Sequence, residues 1–430
     1  MSTSDKIFWR IMIWVLGLST PLMASLKPRR FIAGEIDFVE SAKGLTHSVT
    51  IGLYLFFLVV AVVSFLARLS SNEKKMGTLS VLAFFLLFLL MALMPTVSSI
   101  ISGGTVEMGI LGALAIFSAT YFLPVPEMDW WIRQVRVMLL IVYVYGSIVA
   151  ALFFPEWAWD DSYAFGSALT VFPVRLFGTA NHANVLASLV IFAWMLGRFP
   201  KCRLRGEFLH GCACLLVLVP TQSKTNMLIG LVLVGLYFLV KMASLSTVKR
   251  QCACLSLVLA VVSSALYCLN SSSYASRIED FLYDPQVLTL TGRLPLWLFS
   301  VEMWLECPWL GQGIDAWSSE AVLDYVNILG WAAPHAHNQV FQVLSQTGLI
   351  GLAVFVAWLF VSLRMLGFAP VEWRKPLYWL TGFYFLNGMT EVVLQYKIGV
   401  GNTLLTWIVF TSILILSRSC HRHGKNELNP

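Results

Sequence analysis

Apolar stretches long enough to cross a bilayer recur along the whole chain, separated by short polar segments. A membrane-spanning helix needs about 20 apolar residues, somewhat fewer where the helix is short. Twelve stretches meet that requirement: residues 7–24, 48–67, 77–97, 105–123, 136–154, 183–199, 207–221, 225–241, 251–269, 339–366, 376–393 and 399–417. Only the polar break from Thr221 to Asn226 divides the seventh from the eighth. The longest interruption, residues 270–338, is too polar for the hydrocarbon layer, where each backbone group needs an internal partner. Within it Leu294, Trp297, Leu298, Val301, Trp304 and Leu305 recur at i, i+3, i+4 and i+7, the spacing of one helical face. That face predicts a helix lying on the leaflet with its Trp side down, after which Pro308 and Gly311-Gln312-Gly313 turn the chain. The pattern as a whole predicts an all-α polytopic membrane protein of about 12 transmembrane helices with one large loop containing amphipathic helices.

Composition sharpens this picture. The 430 residues are 58% hydrophobic and 12% charged, with mean hydropathy +0.76. A soluble domain carries about 25% charged residues, so half that value marks an integral membrane protein. The net charge of +6 does not point to nucleic acid, because the cations are scattered between apolar runs rather than clustered. The first apolar stretch lacks a cleavage site and is read as the first span, not as a signal peptide. Of the eight Cys, Cys202, Cys212, Cys214, Cys252 and Cys254 lie in or beside apolar runs. Two residues apart on a helix, the paired ones point to different sides, which suits small hydrophobes and not metal ligands.

Orientation follows from the basic residues. With both termini inside, about two thirds of the 29 Lys and Arg fall on the inner side, as the positive-inside rule requires. The 270–338 loop then faces outward, which in a bacterium is the periplasm. Beyond the first outer loop, the outward cations are Arg175, Lys224, Arg277, Arg293 and Lys397. Positive charge is otherwise kept off this face, so cations persisting beside apolar segments suggest an anionic ligand. Arg293 stands in the first turn of the amphipathic helix, an unfavourable place for a cation unless it has an anionic partner.

The candidate chemistry gathers around Pro334-His335-Ala336-His337-Asn338-Gln339, where the loop meets the tenth span. A helix N-terminus disfavours imidazolium, which helps to keep an imidazole neutral and able to accept a proton. With the helix begun at this point, His335 is expected to point away from His337. Glu391, near the outer end of the eleventh span, is a carboxylate at membrane depth that needs a partner, either a cation or a catalytic group. Asn181, His182 and Asn184 open the sixth span after Arg175-Leu176-Phe177-Gly178. They suit either a helix cap or the lining of a cavity, and the two are compatible. Thr221-Gln222-Ser223-Lys224-Thr225-Asn226 reads as a turn whose Lys acts as a point charge. No outer carboxylate pair suggests a metal, and no cofactor is expected.

These residues resemble the O-antigen ligase family, the membrane glycosyltransferases of ligase/polymerase type. The resemblance rests on Thr291-Gly292-Arg293 with Trp297, on Pro308 to Gly313, and on His337-Asn338 followed by nine residues and Gly348-Leu349-Ile350-Gly351. It implies three regions: N-terminal transmembrane helices over residues 1–179, a catalytic region over 180–366 that includes the loop, and C-terminal transmembrane helices with a cytoplasmic tail over 367–430. It also implies a metal-independent transfer of glycan from undecaprenyl diphosphate to a sugar hydroxyl of the lipid A core, in lipopolysaccharide biosynthesis at the inner membrane. The implied partners are that lipid-linked donor, the lipid A core acceptor and the bilayer, with no nucleic acid. His337 matches the general base and Arg293 the diphosphate-binding Arg, and Arg175 looks like a second family Arg. Relatives often show Ser-Arg where this chain has Ser223-Lys224, which keeps the charge and loses the planar fork. His335, Asn338, Arg277 and Glu391 complete the expected substrate-binding set. The same pattern also accommodates an O-antigen or exopolysaccharide polymerase and a protein O-oligosaccharyltransferase. A lipid-glycan transporter requires repeat symmetry between halves, and none is evident.

The charge pattern makes the orientation testable. A cysteine placed at Ser319 is expected to react with a membrane-impermeant thiol reagent in cells whose outer membrane alone is permeabilised. Labelling only after the inner membrane is broken would reverse the topology.

Overall fold

The computed structural model describes residues 3–25, 36–70, 79–104, 109–160, 174–199, 202–243, 293–317, 335–367, 369–394 and 401–426. The ninth expected span, Arg277, the test position Ser319 and most of the long loop lie outside them. The described chain is mostly helical: α1 (Thr3–Ser25), α2 (Ile36–Ser70), α3 (Leu79–Ile101), α4 (Gly109–Phe122), α5 (Met128–Phe153), α6 (Ala183–Leu196), α7 (Glu207–Leu218), α8 (Lys224–Ala243), α9 (Arg293–Glu306), α10 (Gln339–Gly367), α11 (Val371–Gly388) and α12 (Gly401–Asn426). Among the described residues, 5 helices are long and apolar enough to cross a membrane: α1, α3, α5, α10 and the Ser48–Leu66 part of α2. Shorter apolar helices occur at Ala183–Leu196, Glu207–Thr221 and Gly401–Leu416. This is an all-α multi-pass membrane protein, and every expected span other than the ninth coincides with a helix.

The helix α12 is the axis of the bundle, with residues 401–416 buried on every side. Its polar residues Asn402, Thr403, Thr406, Thr411 and Ser412 are buried along with its apolar ones. Trp407 packs against Trp131 at 4.9 Å between ring centroids and donates its indole N–H to Thr120 Oγ1 at 2.8 Å. One turn on, Phe410 packs against Phe84, Phe88 and Phe117 at 4.8–4.9 Å. The helices at the rim turn apolar side chains outward instead: Leu55, Leu58, Val59, Val62, Val63 and Leu66 of α2 are all exposed. Contiguous bare apolar faces of this kind suit lipid.

An ion pair between buried Arg136 of α5 and half-exposed Glu207, which opens α7, joins these helices to the segment after α6. The Arg136 guanidinium donates to both carboxylate oxygens of Glu207, at 2.5 and 2.7 Å, and to the Cys202 carbonyl at 2.9 Å. Gly197 leaves room for it, since a Cβ there would lie 2.4 Å from Arg136 Nη2.

Two local departures from regular helix shape the opposite end. The first is a π-turn, Leu140–Tyr145, inside α5. The Val142 carbonyl in this turn accepts from Thr179 Oγ1 at 2.9 Å, and Ser147 Oγ accepts from the Thr179 backbone N–H at 3.1 Å. Gly178, at φ +52°, allows the approach, because a Cβ would meet Ser147 Oγ at 2.2 Å. A π-turn widens a helix and often marks a functional place. Here it receives the segment that carries Arg175, which also forms a short antiparallel ribbon, Asp160 facing Arg175 and Trp159 facing Leu176. The hydrophobic pattern predicts no strand, and two residues per strand are too few to leave one.

The second departure is a break at Gly348, which sits at φ 59°, ψ −158° within α10. The Pro308–Gly313 turn crosses the chain there. Leu349 and Ile350 donate backbone N–H groups to the Pro308 and Trp309 carbonyls, at 2.9 and 3.2 Å, and Gln312 and Gly313 donate back to the Ser345 and Gln346 carbonyls, both at 2.9 Å. The two glycine motifs singled out in the sequence therefore meet, backbone to backbone. A Cβ on Gly348 would lie 2.4 Å from the Trp309 carbonyl carbon, and one on Gly311 2.4 Å from the Thr347 N.

The amphipathic helix α9 packs on this crossing. Leu296, Ser300 and Met303 are its buried face, joined by Ala316, Trp317 and Ala336, while Leu294, Leu298 and Leu305 are exposed. Trp297 stacks on Phe341 of α10 at 5.5 Å. The predicted apolar stripe is thus divided: its leucines look outward and Trp297 looks to the neighbouring helix.

The crossing makes Gly348 irreplaceable on steric grounds. Gly348→Ala combines positive-φ strain, about 1–3 kcal/mol, with a backbone clash, and is expected to lose most folded protein in detergent size-exclusion chromatography. Gly382→Ala, where a Cβ meets nothing within 4 Å, is the control and should match or exceed wild-type thermal stability, by up to about 1 kcal/mol.

Candidate functional site

Glu391, just past α11, gathers the polar side chains at this end of the bundle. Its side chain is 8% exposed. Oε1 accepts from Arg293 Nη2 at 2.9 Å and from Asn184 Nδ2 at 2.6 Å, and Oε2 lies 3.2 Å from His337 Nδ1. The donors come from the start of α9, from α6 and from the loop before α10. A buried carboxylate is costly unless charged hydrogen bonds compensate it, and these do. Arg293 completes its contacts with Thr225 Oγ1 at 3.1 Å. The anionic partner that the placement of Arg293 called for is therefore a residue of the chain itself.

Arg175 joins the same group one step removed. Its Nη2 donates to Asn184 Oδ1 at 3.1 Å, and its Nε donates to the Thr221 carbonyl at 3.1 Å. The Thr221–Asn226 break is the turn that grips it. Gln222 takes φ 48° there and donates Nε2 to the Val174 carbonyl at 2.8 Å. Lys224 opens α8 beside Thr225, half-buried, so this segment contributes to both Arg contacts.

His337 and Gln222 are the non-glycine residues with positive φ among the described residues. At φ 49°, His337 is held in a conformation that costs on the order of 1–3 kcal/mol and persists only where neighbours enforce it. They do so on both sides. The Ala336 N–H donates to Gln342 Oε1 at 2.8 Å, and the His337 N–H donates to His335 Nδ1 at 3.3 Å. The helix starts only at Gln339, which corrects the expectation that His335 points away: the two imidazoles are 4.1 Å apart, centroid to centroid. Asn338, expected on the substrate side, is committed to the fold. Its Oδ1 accepts from the N–H groups of Val340 and Phe341, at 2.8 and 3.3 Å, as a helix cap does, and its Nδ2 donates to the Met389 carbonyl at 2.8 Å.

An ionised carboxylate only accepts, so the proton on His337 Nδ1 points to Glu391, and in the neutral imidazole Nε2 is then the acceptor. Burial pushes the His335 imidazole down to about 3, and His337 beside it acts in the same direction. Burial likewise lowers His182 to about 4. His182 is the cap of α6, its Nδ1 accepting from the Asn184 N–H at 3.1 Å. Both stay neutral at neutral pH.

Beneath the cluster lies a buried polar spine that the expected site set did not contain. Asn226 Nδ2 donates to the Asn184 carbonyl at 3.0 Å, Ser188 Oγ bonds Asn226 Oδ1 at 3.0 Å, and Asn387 Nδ2 donates to Ser188 Oγ at 2.8 Å. These residues fix α6, α8 and α11 against one another and so fix Asn184. Their signal in the sequence was an amide or hydroxyl standing inside an otherwise apolar run.

Ligand atoms of His335, His337 and Glu391 all lie within 4.8 Å of one another, near enough for a metal ion. The carboxylate is already shared by Arg293, Asn184 and His337, and a dication would have to sit beside the Arg293 guanidinium.

Helical bundle and bare apolar faces together define a multi-pass membrane protein, with a buried ionic cluster at one end of the bundle. Residues 208–356, about a third of the chain, match the family described as O-antigen ligase, and the match supports a function of ligase/polymerase type. The match contains Lys224, Arg293, His335, His337, Asn338 and the break at Gly348, while Arg175, Asn184 and Glu391 lie outside it. No curated protein matches the chain.

The lowered imidazoles set the response to acid. A proton taken up by His335 or His182 is refused in the fold and accepted in the unfolded chain. Their contribution to stability is present above the ordinary value of 6.5 and is lost as pH falls towards about 3 and 4. The melting temperature is expected to drop between pH 7 and 4, and His335→Asn, which does not titrate, should flatten that slope. An unchanged slope would show that other groups carry the acid sensitivity.

Proposed function

We propose that this protein is an O-antigen ligase of the bacterial inner membrane. It transfers a glycan from undecaprenyl diphosphate to a sugar hydroxyl of the lipid A core on the periplasmic face. The observation that carries this reading is the single carboxylate that ties Arg293 to His337. It puts a phosphate-binding fork and a proton acceptor within one side chain of each other. Twelve spans with both termini inside accommodate this orientation, and the three regions 1–179, 180–366 and 367–430 divide the chain around the site.

In the proposed reaction the acceptor hydroxyl oxygen attacks the anomeric carbon of the donor sugar. The bond from that carbon to the diphosphate oxygen breaks, and its electron pair leaves with undecaprenyl diphosphate. His337 Nε2 takes the hydroxyl proton. The Nδ1–H bond to Glu391 stabilises the imidazolium as it forms, as a carboxylate partner does for any imidazole base. Diphosphate is a good leaving group, so cations rather than a general acid serve it. Arg293 supplies a planar fork, Arg175 a second guanidinium, and Lys224 a point charge. His335, neutral and tilted against the His337 ring, positions the acceptor. Arg277 belongs to the same set by its place in the outer loop. The chemistry needs neither a metal nor another cofactor.

Purified protein with lipid-linked glycan and core-lipid A tests the roles. His337→Ala should lose 10²–10⁴-fold in transfer, the usual worth of a positioned base, ~3–5 kcal/mol, while still binding donor. Arg293→Ala should abolish transfer, and Arg293→Lys should restore it only in part. Near wild-type transfer by His337→Ala would make the imidazole structural. In cells, a deletion that leaves core-lipid A bare while lipid-linked polymer accumulates supports the ligase. Caps of a single repeat would point to a polymerase instead.

A further inference from the structure

We propose that Glu391 is a latch operated by the donor, a reading that rests on the function proposed above. Without donor, its carboxylate occupies the anion position on Arg293; the diphosphate takes Arg293 by displacing it, and Glu391 then serves His337 without sharing its charge with Arg293.

The geometry assigns this role through a conflict of uses. Arg293 is the residue offered to the diphosphate, yet its guanidinium already bonds an anion, Glu391 Oε1, at 2.9 Å. Its other contact is to the neutral hydroxyl of Thr225 at 3.1 Å. The same carboxylate holds His337 through Oε2 at 3.2 Å. Arg293 remains 15% exposed against 8% for Glu391, so the guanidinium is the more open member of the pair. One anion replacing another leaves Arg293 compensated, which makes the exchange inexpensive. Glu391 does not become an orphan when Arg293 leaves, because Asn184 Nδ2 still donates to Oε1 at 2.6 Å. Asn184 is in turn fixed by Arg175 Nη2 at 3.1 Å and by the polar spine below it.

Two consequences follow. Donor affinity is reduced by the fraction of protein in which the latch is closed, because a competent state populated only in part binds with a proportionately weaker apparent affinity. The undivided charge of the carboxylate then faces the imidazole only when a diphosphate is in place, so the base is supported when a leaving group is present. Glu391 is a positioning residue for His337 and a competitor for Arg293.

The experiment uses the full chain in lipid nanodiscs and undecaprenyl diphosphate as the titrant, with binding measured by calorimetry and transfer measured separately. Glu391→Gln keeps the size and an acceptor for Asn184 but removes the competing charge. It should bind the diphosphate about 10-fold more tightly than wild type, with KM for donor and kcat both falling. Adding Arg293→Ala should erase the gain. Where the Gln variant fails to fold, Glu391→Asp keeps the charge and withdraws it from Arg293 by one methylene, and the latch again requires tighter binding. Equal or weaker binding in the folded variant overturns the latch and leaves the ligase reading standing. Wild type that binds no diphosphate, with or without Arg293, overturns the proposed function itself and the latch with it.

Discussion

A carboxylate buried at the end of a membrane bundle is the constraint around which the rest is arranged. Glu391 is tolerable there only with donors brought to it from other segments, because no residue adjacent in sequence supplies one. Each donor then imposes a demand of its own. Asn184 has to be fixed on α6, which the Asn226–Ser188–Asn387 spine achieves. Arg293 has to start α9 at the right height, and His337 has to hold a backbone conformation it would not choose. The cost of burying one charge is spread over helices that share no sequence proximity.

Two backbone irregularities make those demands compatible. The π-turn in α5 offers the Val142 carbonyl to Thr179, and this fastens the segment carrying Arg175. The break at Gly348 turns α10 so that the Pro308–Gly313 turn lies across it, and α9 with Arg293 is held at one end of that crossing. Regular helices in both places would leave the two guanidiniums unanchored. The far end of the bundle shows the contrast. Arg136 and Glu207 form a two-pronged pair away from both irregularities, with the Ala193 and Cys202 carbonyls accepting further donors. That pair joins α5 to α7 without strain and leaves nothing to exchange with a ligand.

The helical membrane class was legible because hydropathy is summed over long windows, and single errors do not matter there. The glycine motifs were legible as punctuation, but not as partners, since the backbone bonds between residues 308–313 and 345–350 leave no trace in hydropathy. Arg293, His337, Glu391 and Arg175 stood out as polar residues beside apolar runs. What joined them did not: Asn184 looks like any cap residue until its amide is seen between Arg175 and Glu391. His335 was read by assuming that the helix had begun, and the helix starts four residues later. Asn338 is a polar residue next to the proposed base whose amide serves the cap, a use that its place in the sequence did not reveal. The ribbon at Trp159–Asp160 and Arg175–Leu176 is too short for any pattern to announce.

The strain at His337 and the shared use of Glu391 have a common logic. A site that binds a large lipid-linked anion and then deprotonates an alcohol needs positive charge and a free base in one place, and these tend to attract whatever carboxylate is near. Glu391 prevents the guanidinium and the imidazole from facing each other unbalanced by standing between them. His337 can be held at φ 49° because its backbone N–H, the Ala336 N–H before it and the Asn338 cap after it are all engaged. Its ring therefore has little freedom to follow Arg293 when that residue turns to another anion. A rigid imidazole beside a guanidinium able to change partners is the arrangement that lets one carboxylate serve two residues in succession, and the neutral His335 packed against it adds no charge to upset that exchange.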